Sequence, residues 1–377
     1  MHEYLVTRGF VPRVGVWELT LACNLNCRHC GSRAGRGRGD ELTTDEALAL
    51  CRELVDLGME RMTFSGGEPL LREDWPELAR VLVAGGVHVN MISNGQKFTR
   101  DTVKIAQEVG LAGMAFSLDG LEGSHTYLRR LPGNWEKIWD NLRLCQEAGL
   151  CTSVITTVYQ RNVGELSELR RLLGEAGVAI WQLQLATPSG NMADHDSVML
   201  SPDQILALLP AIVEMRRSPD PPEIHVGDNL GYYGGLEQGL RGPMGPEPDD
   251  PDADPVVWLG CNAGCSVVGI ESNGNIKGCL SLPSARNEVD VFVEDNLRKR
   301  PLREIWNDPE AFAYNRKFDP ARLEGFCRTC DYAEFCRGGC TWSAFANTGS
   351  RYESRYCYHR LLEEKQQREA QIAAAGS

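Results

Sequence analysis

From Val14 to about Arg216 the chain alternates short β-rich runs with longer stretches whose apolar residues recur at helical spacing. The pattern predicts strands at Val14–Leu21, Arg61–Phe64, His88–Ser93, Gly113–Leu118, Thr152–Tyr159 and Ile180–Ala186. Helices are predicted between them at Thr44–Leu57, Trp75–Ala84, Arg100–Glu108, Trp135–Ala148 and Val163–Glu175, with a sixth at Pro202–Arg217. Gly58, Gly110 and Gly149 follow three of these, where helix C-termini favour glycine. Such alternation implies an α/β fold with a parallel sheet and right-handed crossovers. Six units close partly, as a partial (β/α)6 TIM-like barrel, and in such folds ligands gather at the C-terminal ends of the strands.

The rhythm breaks at 242–255, where GPMGPEPDDPDADP is too polar and proline-rich to pack and reads as a surface linker. The expected organisation is a lead-in at 1–13, the barrel at 14–241, this linker, a small irregular cysteine-rich domain at 256–358 and a charged helical tail at 359–377. The cysteine-rich region shows little periodicity, so metal is expected to supply what a core would, and metal loss to unfold it.

Composition narrows the chemistry. The chain carries 14 cysteines and no secretory signal, which points to metal or redox use in a reducing compartment, the cytoplasm, rather than to disulfides. A net charge of -13 disfavours nucleic acid, and no apolar run is long enough for a membrane span.

Behind the first strand stand Cys23, Cys27 and Cys30, three thiols for one metal centre. Zinc requires a fourth ligand that His29, wedged between two cysteines, supplies poorly. A cubane with one iron left open fits three thiolates better. The second strand runs into Gly66-Gly67-Glu68-Pro69, where two glycines permit close backbone approach to a ligand and Glu68 offers a carboxylate to an amino group.

Together these motifs resemble the radical S-adenosylmethionine (SAM) superfamily over roughly Val14 to Met215. The resemblance implies a [4Fe–4S] cluster on Cys23, Cys27 and Cys30 whose open iron binds SAM and, on reduction, yields a 5′-deoxyadenosyl radical. It further implies SAM contacts from Gly66, Gly67, Glu68, Asn94, Ser117, Asp119 and Arg129. For Ser117 and Asp119 the plainer reading is turn formation, and for Arg129 an exposed surface arginine.

Eight further cysteines resemble the SPASM extension of this superfamily. That likeness implies one auxiliary [4Fe–4S] cluster on Cys261, Cys265, Cys279 and Cys340 and another on Cys327, Cys330, Cys336 and Cys357. Three clusters in all are thus implied, the auxiliary pair moving electrons; two structural zincs are the alternative that spacing alone permits. Cys51, Cys145 and Cys151 read as buried small hydrophobes.

The resemblance points to a peptide substrate of ribosomal origin, crosslinked or otherwise oxidised, with a separate leader-binding protein if one is needed and a low-potential flavodoxin- or ferredoxin-type donor. Tetrapyrrole substrates are the alternative, since haem-modifying relatives share the architecture. Formylglycine formation is disfavoured: relatives that perform it place an acid just after the cysteine matching Cys279, where this chain has Leu280 and Ser281. Asp228 and Glu271 are candidates for a base from elsewhere, though each reads more simply as a surface acid; Tyr232 and Tyr233, in a glycine-rich loop, are candidates for lining a peptide channel, though they read more simply as loop packing. A non-catalytic electron carrier is the third possibility, and it has no use for the Gly66-Gly67-Glu68 turn.

Overall fold

The computed structural model describes residues 9–195, 198–244, 257–284 and 292–375. Its strands are β1 (Val14–Thr20), β2 (Arg61–Gly66), β3 (His88–Ser93), β4 (Gly113–Ser117), β5 (Thr152–Val158), β6 (Ile180–Leu185), β7 (Glu223–Val226), β8 (Val267–Ile270), β9 (Asn275–Lys277) and β10 (Val293–Asn296). They form one sheet in the order β10-β9-β8-β1-β2-β3-β4-β5-β6-β7. Neighbours from β1 to β7 are parallel, β8 lies parallel to β1, and β9 and β10 add antiparallel strands at the edge. The crossover helices are α1 (Thr44–Asp56), α2 (Trp75–Ala84), α3 (Arg100–Val109), α4 (Glu122–Arg129), α5 (Asn134–Ala148), α6 (Leu166–Glu175) and α7 (Pro202–Arg216).

Local chemistry sets these boundaries. Thr43 and Glu46 form a capping box at the start of α1, and Ser201 and Gln204 repeat it at α7 with Pro202 in the first turn. Along β1 to β3 alternate residues Trp17, Leu19, Met62, Phe64, Val89 and Met91 are wholly buried, packed with Leu50, Leu54, Leu78 and Leu82 of the helices. The intervening positions, such as Thr63, Asn90 and Ser117, keep partial solvent contact.

Three features differ from the sequence pattern, the first being α4, a helix the pattern does not mark. The four-residue β7, behind Pro221 and Pro222, is a seventh parallel strand too short to register as a period. The cysteine-rich region is also not irregular throughout: Val268, Ile270, Ile276, Leu302, Ile305, Trp306 and Phe312 join the main core. The proline-rich stretch predicted as a linker lies almost wholly outside the described residues. The C-terminal helix runs Tyr358–Ala375 and buries only Tyr358 and Leu361. Among the described residues no helix is long and apolar enough to cross a membrane.

Candidate functional site

The loop after β1 is held from three directions. Cys23 N–H donates to Gly35 O and Gly35 N–H to Leu21 O, Arg28 N–H donates to Leu128 O at the end of α4, and Asn191 Nδ2 donates to Cys27 O at 2.9 Å. A two-pronged Arg33–Asp194 pair closes the same side. Each sulfur receives a donor: Leu25 N–H at 3.4 Å and Asn94 Nδ2 at 3.7 Å for Cys23, Arg129 at 3.9 Å for Cys27, and Ala34 N–H at 3.2 Å for Cys30. Burial, aided by the charges of Cys30, Asp119 and Cys23 and opposed by Arg129, pushes the Cys27 thiol up to about 11, so ionisation here calls for a further cation, as a cluster iron would be. His29, beside Cys30, is lowered to about 4 by burial, and its Nδ1 is buried without a hydrogen-bond partner.

Glu68 is fully buried where β2 meets β3, accepting from Leu70 N–H, Ser93 Oγ and Asn94 N–H at 3.2, 2.9 and 2.8 Å. Burial raises its carboxyl to about 7 against those donors. The glycines before it have a reason beyond ligand approach: a Cβ on Gly66 would stand 2.4 Å from Thr20 O, and one on Gly67 2.2 Å from Ala22 O. Their bareness lets the end of β2 lie against the cysteine loop, and Gly67 N–H and Glu68 N–H donate to Thr20 O and Ala22 O.

Asp119, just beyond β4, is also wholly buried. It accepts from Arg129 Nε at 2.6 Å and Thr157 N–H at 2.8 Å, while its own N–H donates to His125 Nδ1. Burial works to raise the carboxyl, but Arg129 and the two histidines outweigh it and hold it below the usual range. Arg129 is therefore not the exposed arginine of the plainer reading; its side chain is 11% exposed, between Asp119 and Cys27. Ser117 is half-buried at the end of β4.

Among the described residues no three His, Cys, Asp or Glu side chains close around a single ion. The eight C-terminal thiols gather in two looser sets. Cys265, Cys279 and Cys340 each lie within electrostatic reach of Cys261, and Cys340 also of Cys279. Cys336 lies within the same reach of Cys327, Cys330 and Cys357, around a small apolar recess also lined by Tyr233, Phe326, Tyr332 and His359. Beside the first set lie two guanidiniums, those of half-buried Arg337 and buried Arg316, which lower the Cys265 thiol against burial; the buried atoms Arg316 Nη2 and Arg337 Nε have no hydrogen-bond partner among the described residues. A cluster with its anionic sulfurs fits such uncompensated positive charge.

Tyr232 and Trp258 meet edge to face, ring centroids 5.0 Å apart, beside Cys336, Cys340 and Cys357. Tyr232 Oη accepts from Cys340 N–H at 2.9 Å, its carbonyl accepts from Cys357 Sγ at 3.5 Å, and Trp258 Nε1 donates to Cys336 O. The sequence pattern marks Tyr232 only as channel lining or loop packing, and gives no signal for Trp258. Cys51 and Cys145 are buried as expected, but Cys151 is exposed at the start of β5.

Three thiols at the end of the first strand of an open parallel sheet, with two further thiol quartets behind it, define a class of iron–sulfur enzyme. Residues 17–173 match the Radical SAM superfamily, and residues 261–331 match SPASM, an iron-sulfur cluster-binding domain. The AdoMet-dependent heme synthase of Methanosarcina barkeri is 30% identical over 360 residues, covering 93% of this chain and 97% of that protein. The same organism's Fe-coproporphyrin III synthase is 29% identical over 340 residues, covering 86% and 82%. Streptococcus suis SuiB bound to its precursor peptide SuiA superposes with a TM-score of 0.71 at 17% identity, over 94% of this chain and 78% of that one. The chain belongs to the radical SAM superfamily, in its SPASM-bearing branch; it is an enzyme that uses SAM and iron–sulfur clusters.

Proposed function

We propose that this enzyme oxidises an iron tetrapyrrole by hydrogen abstraction, with one electron from the substrate passing to an auxiliary cluster. The observation that carries the substrate class is the full-length likeness to a heme synthase, 30% identity over 93% of this chain. Cys23, Cys27 and Cys30 hold the SAM-binding [4Fe–4S] cluster on this reading, supported by the donor directed at each of the three sulfurs. Two auxiliary clusters occupy the quartets Cys261, Cys265, Cys279, Cys340 and Cys327, Cys330, Cys336, Cys357, three clusters in all. When bound, SAM on the reduced first cluster supplies the 5′-deoxyadenosyl radical.

The chain's own residues orient and shelter that reaction. Gly66, Gly67 and Glu68 fix the end of β2 against the cluster loop, while Asn94 bridges Cys23 and Asn24. Ser117, Asp119 and Arg129 line the cofactor side of β4, with the Asp119–Arg129 pair holding Arg129 against Cys27. A flavodoxin- or ferredoxin-type protein in the cytoplasm delivers the reducing electron.

A second reading, modification of a ribosomal peptide with or without a separate leader-binding protein, draws on the shared fold with SuiB, whose structure holds a precursor peptide. Anaerobic reconstitution decides between them. Fe-coproporphyrin III incubated with SAM and reductant should give 5′-deoxyadenosine and a lighter tetrapyrrole by mass spectrometry. Product from a co-encoded peptide, with the tetrapyrrole untouched, would transfer the assignment to the second reading.

A further inference from the structure

Charge is unevenly spread along this chain. Its net charge is -13, yet from Leu19 to Gly39, around the three cysteines of the first site, it has no acid and four arginines, Arg28, Arg33, Arg36 and Arg38. The structure sorts these four by partner. Arg38 turns inward to buried Glu18 and lies 3.9 Å from Glu271. Glu271, read from the sequence as a surface acid, is itself buried against Lys277. Arg33 pairs with Asp194. Arg28 and exposed Arg36 have no carboxylate within ion-pair distance among the described residues.

Arg28 follows Cys27 directly, and its side chain is fixed. Its Nε donates to Tyr127 O at 3.1 Å, and its guanidinium lies 4.6 Å from the centre of the Tyr127 ring. A second guanidinium, that of exposed Arg161 in the loop after β5, lies 4.2 Å from the same ring. Tyr127 is half-buried on α4 and stacks on wholly buried Tyr159, whose Oη donates to Ser124 O at 2.7 Å. The ring is a braced platform, and cation–π attraction draws both charges onto it.

Two like charges gathered on one ring repel each other, and no acid among the described residues relieves them. The nearby acids are engaged elsewhere: Asp119 by Arg129, Asp194 by Arg33, and Glu165 by Ser124 Oγ and Leu121 N–H. Arg130, exposed just past α4, is also unpaired among the described residues. The result is a positive spot on an acidic molecule, against the loop that carries Cys27.

We propose that Arg28, Arg161 and the ring of Tyr127 form the docking surface for a small acidic one-electron carrier protein. This deepens the function proposed above and rests on its assignment of a cluster to Cys23, Cys27 and Cys30. An acidic carrier is repelled by the chain's net charge taken as a whole. At about 0.1 M salt, however, charges more than about 10 Å apart are largely screened, so the local sign decides the encounter. Unpaired arginines beside the cysteine loop favour that encounter where the electron is needed. A carrier seated on Arg28 stands one peptide from Cys27. It loses one electron, the oxidised [4Fe–4S] cluster gains it, and no atom is transferred.

The test uses the reconstituted full-length enzyme, with an acidic [2Fe–2S] ferredoxin as probe. Binding of the oxidised ferredoxin is titrated at rising salt, and electron transfer from the reduced form is followed by stopped-flow absorbance and freeze-quench EPR. Arg161→Glu, and the double variant that adds Arg28→Gln, should weaken binding and slow transfer by about tenfold or more at low salt, the scale of lost steering. The gap from wild type should close as salt rises. Arg80→Glu makes the same charge change at an exposed site on α2 and should alter neither readout. Excess dithionite checks the cluster itself: the EPR signal that shifts on adding SAM should be equal in all variants. Arg161 lies outside the cysteine loop, so a defect in R161E with that signal intact is not a failure of folding. Ferredoxin that does not bind wild type, or that binds the double variant as tightly because it docks at the auxiliary quartets, overturns the proposal. Absence of any SAM-responsive signal in dithionite-reduced wild type would instead overturn the cluster assignment beneath it.

Discussion

Arg129 shows how much one burial state changes at the scale of a residue. On an exposed helix end its loss would cost little, but here it neutralises the wholly buried Asp119 and reaches Cys27. Removing one partner of a buried pair leaves an uncompensated charge, a loss of about 3–5 kcal/mol. Arg129→Leu should lower stability by that amount in denaturant titration of the reconstituted protein; a change under about 1 kcal/mol, the scale of an exposed pair, would show that the pair is not sealed from water. The triad makes a sharper prediction. Replacing Cys23, Cys27 and Cys30 together by alanine should abolish 5′-deoxyadenosine formation while retaining about eight irons per chain, because each auxiliary cubane holds four. Continued SAM cleavage in that variant would remove the assignment.

At the scale of elements, the cysteine loop, the end of β2 and the start of α4 stand or fall together. Gly67→Ala would place a Cβ 2.2 Å from Ala22 O and 2.6 Å from Leu21 O, so the loop bearing Cys23 has to move. Iron should fall by about four per chain, with the auxiliary clusters kept. Gly86→Ala is the control: its φ of +84° carries a backbone penalty of about 1–2 kcal/mol, but nothing lies within 4 Å, and iron content should hold. Equal iron loss in both variants would mean that general destabilisation, not the contact with the loop, is responsible. The sequence pattern was legible where periodicity was strong. Most ends of β1 to β6 and their helices lie within a residue of the predicted ones, the exceptions being β2, which runs on to Gly66, and α6, which begins at Leu166 rather than Val163. β7 was hidden by its length, and α4 by a polar stretch, Glu122–Arg129, whose apolar positions are few. The cysteine motifs stood out because spacing is a one-dimensional property. The setting of Arg129 between Asp119 and Cys27 and the place of Tyr232 beside Cys340 depend on contacts between distant segments, and no local pattern encodes those.

For the whole molecule, the question is what the auxiliary metal holds together. The interleaving of Cys340 with the earlier cysteines suggests that two clusters staple the entire C-terminal region. The packing divides that region instead. β8 pairs with β1, and Val268, Ile270, Ile276 and Trp306 share the main core, so this half is held by apolar burial that metal removal leaves intact. Around Cys336, Cys340 and Cys357, by contrast, the buried cluster among the described residues adds Tyr232 and Trp258 to the thiols themselves, with Tyr233, Tyr332 and Trp342 partly buried against it. Once stripped of iron, those thiols supply little apolar area, and the short helices Gly325–Arg328 and Ala333–Cys336 are too short to persist alone. Chelation should therefore unfold the molecule in part. Hydrogen exchange of the anaerobic apoprotein should leave amides of β1 to β6 and β8 protected while those from Cys327 to Cys340 exchange at near-unfolded rates. Loss of protection across the whole sheet would show that the clusters, and not the shared core, hold the two ends of the chain together.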